Sequence, residues 1–439
     1  MGSADSPTNR RTAGIVWLTV FIDLVGFSII FPIFPAMLEW YLPREADGSL
    51  LDRLIQFLME LTQGGNQSFL VAVLFGGILG SLYSLLQFVA SPIWGRLSDK
   101  HGRRPILLIT TTGTALSYLI WIFSGAFWVL IVARVLAGIM AGNIAVATAA
   151  IADLTDTRTR SKGMALIGVA FGLGFILGPA IGGFGSLVDL GVDPASMATF
   201  GLTPFSFPAL LAFILATVNI LWVWRAFPET HPEEAREAAR SEKRALLRFG
   251  SRIPDVSRAL KVYFLFIFAF SGMEFTLTFL ALERLFYEPH QMSLMFVFIG
   301  LILAFTQGFA IRRYGHRFGE RNFTTLGLLS GVVAMICLSV SHSSGLFYIG
   351  LAFLGIGVGC ASPSLSALVS LYSPASSQGA ELGAFRSTGA LGRAVGPIFG
   401  ALIFWALGSQ VSYLTGAVLL FLSALFSLLL PKPVDATGE

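Results

Sequence analysis

Five charged side chains lie inside long apolar runs of this sequence: Asp23 in "VWLTVFIDLVGFSIIF", Arg134 in "FWVLIVARVLAGIM", Glu274 in "FSGMEFTLTFL", and Arg386 and Arg393 in "GAFRSTGALGRAVGPIFGALIF". Ionisable groups are costly in such surroundings, so the positions that keep one are functional candidates. A carboxyl there has a specific use. Apolar surroundings favour its protonated form and a nearby guanidinium favours its ionised form, so a change of surroundings moves a proton on or off. Glu274, Asp23 and Arg134 are therefore the proton-coupling candidates, with Glu274 the first choice for the carrier. Asp23 can instead form a structural pair with Arg134, and structural pairing of both acids is the competing reading.

A second concentration of charge is "SPIWGRLSDKHGRRPILL" at residues 91–108. Glycine at 95 and 102 suits a tight turn and close helix contact. Asp99, among Arg103, Arg104 and other bases, can pair with a basic side chain or a positive helix N-terminus. Arg386 is one such partner. A contact of this kind, made in one conformation and lost in another, biases a two-state equilibrium. Asp153, with Arg158 or Arg160, completes the expected cluster. The plainer reading is that these are only basic residues anchoring topology.

These residues need a scaffold, and composition identifies it. Of 439 residues, 55% are hydrophobic and 12% charged, against about 25% charged in ordinary globular domains. A bilayer core takes about 20 apolar residues per helix. Twelve such stretches follow in order, near 14–38, 69–92, 105–124, 127–152, 163–186, 205–227, 260–286, 292–311, 323–341, 346–371, 382–406 and 410–430. The expected fold is an all-α membrane protein of twelve transmembrane helices in two pseudo-symmetric six-helix halves.

Placing both termini in the cytoplasm puts 23 of the 29 Lys and Arg residues on that side, as basic residues near helix ends require. The expected location is thus an integral, multi-pass membrane, the inner membrane in a bacterium. The net charge of +4 reflects this bias and gives no sign of nucleic-acid binding. Cys337 and Cys360 have no partner at metal-ligand spacing and read as packing residues.

The polar stretch 228–257 divides an N-terminal half, 1–227, from a C-terminal half, 258–439, and carries Glu/Arg pairs at helical spacing, Glu233 with Arg236 and Glu237 with Arg240, suited to a surface helix. The halves share a motif. Residues 174–183 read "GFILGPAIGG" and residues 392–401 read "GRAVGPIFGA". Gly174, Gly178, Pro179 and Gly182 recur, 218 residues on, as Gly392, Gly396, Pro397 and Gly400. Small residues let helices approach, and proline bends the helix, so this repeat reads as a seal and a hinge. Between the first two helices, "LLDRLIQFLMEL" is amphipathic and suits a helix in the membrane interface or one packed over the loop.

With these residues on the page, a resemblance is clear. "GRLSDKHGRRP" resembles the loop signature of the major facilitator superfamily, carried here by Gly95, Asp99, Gly102, Arg103 and Arg104. Residues 80–185 resemble the tetracycline-efflux group of drug:proton antiporters, and "FSGMEFTLTFLALERLF" is similar to the tetracycline-transporter-like organic-anion efflux proteins of animals. The resemblance implies that helices 1, 4, 7 and 10 line a central cavity, that Arg134 serves proton coupling, and that the bend at Pro179 serves antiport. Two departures stand out. The corresponding second-half loop, "GFAIRRYGHRFGER", lacks the Asp, and helix 3 carries Ser117 and Tyr118 where the tetracycline group has an acid.

The expected cavity groups are Tyr83, Gln87, Asn143, Glu274, Gln307 and Arg393. Few polar groups among 39 Phe residues suit an amphiphilic organic molecule better than a sugar, and the membrane arginines tilt this toward an anion or zwitterion. The expected function is a secondary transporter, a monomer, exporting such compounds in exchange for protons. The alternatives are proton-linked uptake, transport of a lysolipid or lipid-like anion, or a transport-dead sensor. No enzyme is expected, and no metal or cofactor beyond the proton gradient. No phosphate-binding G-xxxx-G-K-[ST] run occurs, and no Ser/His/Asp set stands out.

Overall fold

The computed structural model describes residues 7–44, 48–61, 67–155, 160–188, 200–234, 236–237, 250–307, 312–374 and 378–432. Among these, every regular element is helical. Nine helical stretches are long and apolar enough to cross a membrane, and Gly172–Gly185 and Pro289–Phe305 are shorter apolar helices. One of the nine, Glu381–Ser427, has 47 residues, about 70 Å of helix against a core of about 30 Å. Gly408 interrupts it at φ +86°, a conformation that glycine adopts without strain, and so allows two crossings. Twelve crossings result, as expected.

In chain order the helices are α1 (Pro7–Ser28), α2 (Phe34–Tyr41), α3 (Leu50–Leu61), α4 (Gln67–His101), α5 (Arg103–Ile122), α6 (Phe127–Met140), α7 (Asn143–Leu154), α8 (Arg160–Gly185), α9 (Ser206–Ala226), α10 (Pro254–Leu285), α11 (Pro289–Phe305), α12 (Arg312–Ser339), α13 (Ser344–Tyr372) and α14 (Gln378–Ser427). Three depart from the expected boundaries for local reasons. The helix expected over 14–38 ends at Ser28 and turns through 29–33, held by Phe31 N–H to Ser28 O and Ile33 N–H to Ile30 O. Pro32 has no N–H and keeps Phe31 out of the helical region. The stretch expected over 127–152 divides at Ala141–Gly142 into α6 and α7, where a Cβ on Gly142 would strike the Trp94 side chain. And α4 runs on to His101, which puts Gly95 and Asp99 on a helix rather than in the loop expected there.

The chain forms two compact units. One comprises Met1–Ala46, Leu86–Leu247 and Pro289–Ser293; the other comprises Asp47–Leu85, Arg248–Glu288 and Leu294–Glu439. Their borders fall inside α4 and α11 and so differ from the sequence halves 1–227 and 258–439. The first unit buries Val16, Val20, Leu24, Leu107, Val146, Ala150, Ala170 and Val223 together, drawn from α1, α5, α7, α8 and α9. The amphipathic stretch is α3, with Ile55 buried and Arg53, Gln56, Phe57 and Glu60 exposed. Of the linker pairs, Glu233 and Arg236 form an ion pair, and Arg240 lies outside the described residues.

Candidate functional site

The repeated glycine motif does the same job twice. In the first unit it sets α8 against α1. A Cβ on Gly174 would lie 2.6 Å from Leu24 Cβ, one on Gly178 would lie 2.7 Å from Val25 O and overlap Ser28 Oγ, and one on Gly182 would overlap Ile29 O. In the second unit it sets α14 against α10. There a Cβ on Gly392 would lie 2.9 Å from Ile267 Cγ2, one on Gly396 2.6 Å from Phe268 O and 3.1 Å from Ser271 Cβ, and one on Gly400 2.7 Å from Gly272 O. Backbones this close exclude any side chain larger than hydrogen. Hydroxyls serve backbone groups at both bends. Ser293 Oγ donates to Pro179 O at 2.6 Å, and Ile398 N–H donates to Ser81 Oγ at 3.1 Å.

The paired contacts fix the register of the repeat. Leu24 corresponds to Ile267, Val25 to Phe268, Ser28 to Ser271 and Ile29 to Gly272. Counted on along the chain, the register pairs Asp23 with Phe266, and Glu274 with Phe31 in the 29–33 turn past the end of α1; on α10 the positions 266 and 274 are eight residues, or about 12 Å, apart. The two carboxyls are therefore not copies of one another. Arg393, 218 residues after Phe175, occupies the position of that phenylalanine. In the first unit Phe31 and Phe175 are in ring contact, with centroids 6.3 Å apart. In the second unit an acid and a base stand at the two equivalent places.

Asp23 is buried on α1 and accepts a hydrogen bond from Asn143 Nδ2 at 3.2 Å. The same nitrogen lies 3.4 Å from Thr114 Oγ1. Tyr118 is within electrostatic reach of both Asp23 and Arg134, and its hydroxyl fills the space beside Gly26. Arg134 is buried on α6, with its guanidinium 4.3 Å from the centre of the Trp121 ring, a cation–π contact that partly offsets the cost of burial. Gln87 reaches the α6–α7 break by donating to Ala141 O at 3.4 Å. Asp23, Arg134, Asn143 and Gln87 are thus brought together around that break.

Glu274 is half-buried on α10 and within electrostatic reach of Arg393. Arg393 and Arg386 both act on Tyr263, which stacks on Phe385 with ring centroids 3.7 Å apart. Gly389, between the arginines, leaves room for Tyr263, whose hydroxyl would be 2.9 Å from a Cβ there. Arg386, Gly389 and Arg393 follow at i, i+3 and i+7, one face of α14. Of the remaining cavity candidates, Tyr83 is buried in the second unit, and Gln307 stands half-buried in the last described turn after α11.

The third cluster surrounds Arg103. Its Nη1 donates to Asp99 Oδ1 at 2.6 Å and to Ser98 Oγ at 2.7 Å, and its Nε donates to Asp153 Oδ2 at 2.9 Å. Asp99 is thus engaged by Arg103, four residues on and across the turn at Gly102, and among the described residues not by Arg386, the expected partner. Two members were not expected from sequence. Glu229, just past α9, accepts the Arg103 N–H at 2.8 Å and the Arg104 N–H at 3.1 Å, a carboxylate at the positive start of α5. His231 Nδ1 lies 3.5 Å from Asp153 Oδ2. Gly102 has φ +104°, and a Cβ there would collide with the Glu229 carboxylate. Arg104 Nη2 donates to Trp224 O at 2.7 Å. Arg158 and the Arg160 side chain lie outside the described residues. Among those described, no His, Cys, Asp and Glu gather as a metal site would require.

Comparison with known proteins gives these helices a family. A model described as the Major Facilitator Superfamily matches residues 16–316 and 285–439. Major facilitator superfamily domain-containing protein 10 of Mus musculus is 34% identical over 456 residues, covering 98% of this chain and 95% of that protein. The class D tetracycline resistance protein of Salmonella ordonez is 28% identical, over 98% of this chain and 100% of that protein. Among solved structures, the crystal structure of the human organic anion transporter MFSD10 (TETRAN) matches with a TM-score of 0.75 at 32% identity, covering 96% of this chain and 100% of that one.

Proposed function

This chain belongs to the Major Facilitator Superfamily, and we propose that it exports amphiphilic organic compounds, drug-like and anionic or zwitterionic, in exchange for protons carried by Glu274. The observation that carries this reading is the replacement of the aromatic pair Phe31–Phe175 by Glu274 and Arg393 at the equivalent places of the second repeat. A membrane protein bears the cost of a charged pair at a site that an apolar pair fills equally well only where the charge has a use. Proton return at about 2.3 kcal/mol per 100 mV is ample to drive export.

The bends at Pro179 and Pro397 serve as hinges, with 1–227 and 258–439 as the moving halves and 228–257 as the cytoplasmic linker. In this reading both termini are cytoplasmic, and the Arg103 cluster braces the cytoplasmic ends of α4, α5 and α7. The human relative of known structure is titled an organic anion transporter, which supports an anionic cargo here. A second reading, proton-linked movement of an organic or lipid-like anion in the direction of the proton, is favoured by a guanidinium within electrostatic reach of Glu274.

The test is proton flux in proteoliposomes under an imposed pH gradient, with a panel of organic anions, tetracyclines and lysolipids. Cargo-dependent flux that disappears in Glu274→Gln is the expected result. Equal flux in both proteins would remove Glu274 from the coupling.

A further inference from the structure

The two membrane carboxyls, Asp23 buried and Glu274 half-buried, differ in what satisfies them. Asp23 accepts a hydrogen bond from Asn143. Among the described contacts Glu274 accepts none, and Arg393 donates none, although Arg393 carries five N–H donors. The two are within electrostatic reach, yet no nitrogen–oxygen contact within ion-pair distance joins them among the described residues. Their frame leaves little freedom. A Cβ on Gly396 would lie 3.1 Å from Gly272 N and one on Gly392 would lie 2.9 Å from Ile267 Cγ2, so α10 and α14 are in close backbone contact two residues before Glu274 and one before Arg393. Tyr263, set in the space left by Gly389, adds a hydroxyl within electrostatic reach of Arg393.

From this geometry we infer that Arg393, helped by the Tyr263 hydroxyl, is the group that binds the anionic end of a cargo molecule, and that a monoanion held there loads together with a proton on Glu274. The inference rests on Glu274 as the proton carrier proposed above and, for a monoanion, selects the second reading given there, movement with the proton, over exchange. The sign follows from charge. Ionised Glu274 offsets the charge of Arg393 and repels a second anion. Protonated Glu274 leaves that charge to the cargo. Linkage is reciprocal, so the bound anion favours the protonated glutamic acid by the same factor. A cationic cargo would have the opposite effect and displace the proton. The charge of the cargo therefore sets the direction of coupling. Monoanions move with the proton, and cations exchange for it.

Other titratable groups leave this logic in place. On α14, the helix most extensively packed on α10, Arg393 is within electrostatic reach of Glu274, Glu381 and Arg386 precede Arg393 by a turn or more, and Tyr413 follows the Gly408 break. The adjacent α13 has no charged side chain, and its titratable groups are Tyr348, Cys360 and Tyr372. On α10 itself Asp255, Arg258 and Lys261 lie toward the opposite end. Glu283 and Arg284 come more than two turns after Glu274, and Arg284 is bonded to Ser339 O, Ser341 O and Ser409 Oγ.

The test is equilibrium binding of 2-naphthalenesulfonate, an anion that does not itself titrate, to the full-length protein in lipid nanodiscs at about pH 5.5 and about pH 8. The expected result is binding about tenfold or more tighter at the acid pH, and Glu274→Gln binding at both pH values as the wild type does in acid. That gain at pH 8 cannot come from misfolding. Arg393→Gln is expected to lose about tenfold or more at both pH values, Arg393→Lys to recover part of it, and Tyr263→Phe to lose severalfold. Wild-type binding that is undetectable, or tighter at pH 8, overturns the inference. So does unchanged binding in Arg393→Gln. Binding that needs Arg393 but ignores both pH and Glu274 overturns the shared loading and, with it, Glu274 as carrier. If pH-linked binding occurs as expected but proteoliposomes show no proton-linked flux, the anion site stands and the transport reading falls.

Discussion

Asp23 and Glu274 are both acids in the first helix of a six-helix half, and the structure treats them differently. Asp23 sits in a polar group, with Asn143 donating to it and Arg134 placed on Trp121. Glu274 sits where the other half has a phenylalanine, opposite an arginine that also stands where the other half has a phenylalanine. A hydrogen-bonded acid is held in one state. An acid with only a distant cation has a proton affinity that any nearby charge can move. In the function proposed above, Asp23 is the bracing acid and Glu274 the working one, a distinction that their similar positions in the sequence do not draw.

The largest expected effect on this comparison is functional. Glu274→Gln abolishes proton-linked flux, whereas Asp23→Asn keeps most of it, because an amide at 23 can still accept from Asn143. The comparison itself can be undone with Glu274→Phe/Arg393→Phe, which rebuilds in the second half the aromatic pair of the first. Such replacements of charged pairs are neutral or stabilising by about 1–4 kcal/mol, so thermal unfolding should show no loss of stability while cargo-driven flux is gone. A clear fall in melting temperature would show instead that the charged pair is structural.

Next come the frames. Gly178→Val and Gly396→Val should each cost about 1–3 kcal/mol or more through backbone overlap, and similar losses in the two would confirm that the motif does the same work in each half. Away from both acids, Arg103→Gln should cost roughly 1–3 kcal/mol by leaving Asp153 and Asp99 without their shared donor, again read by thermal unfolding. The smallest effect is Glu229→Gln, about 0.3–1 kcal/mol, the weight of a charge at the start of a helix.

Much of this was legible in the sequence. Apolar length placed twelve crossings, and the Gly-Pro repeat at 174–183 and 392–401 picked out the helices whose backbones touch. What escaped depends on partners. Pro32 sits in an apolar run, so hydropathy carried the first helix through it, although a proline there argues for a break. The extension of α4 to His101 reflects the Arg103–Asp99 pair and the Glu229 cap, which join residues 125 or more positions apart or across a turn. Glu229 and His231 read as linker because their role depends on the start of α5 folding back beside the end of α9. The facing of Glu274 and Arg393 was half visible. Shifting Arg393 by the repeat length lands on Phe175, but the matching step from Glu274 to Phe31 needed the glycine contacts to set the register.

The most direct measurement separates loading from coupling in the two acids. Reconstituted Glu274→Gln and Asp23→Asn would be assayed for exchange of labelled against unlabelled cargo without a pH gradient, and then for accumulation driven by one. Glu274→Gln is expected to exchange cargo but no longer respond to the gradient, while Asp23→Asn does both. A gradient response that survives in Glu274→Gln and is lost in Asp23→Asn would contradict this and make Asp23 the proton carrier.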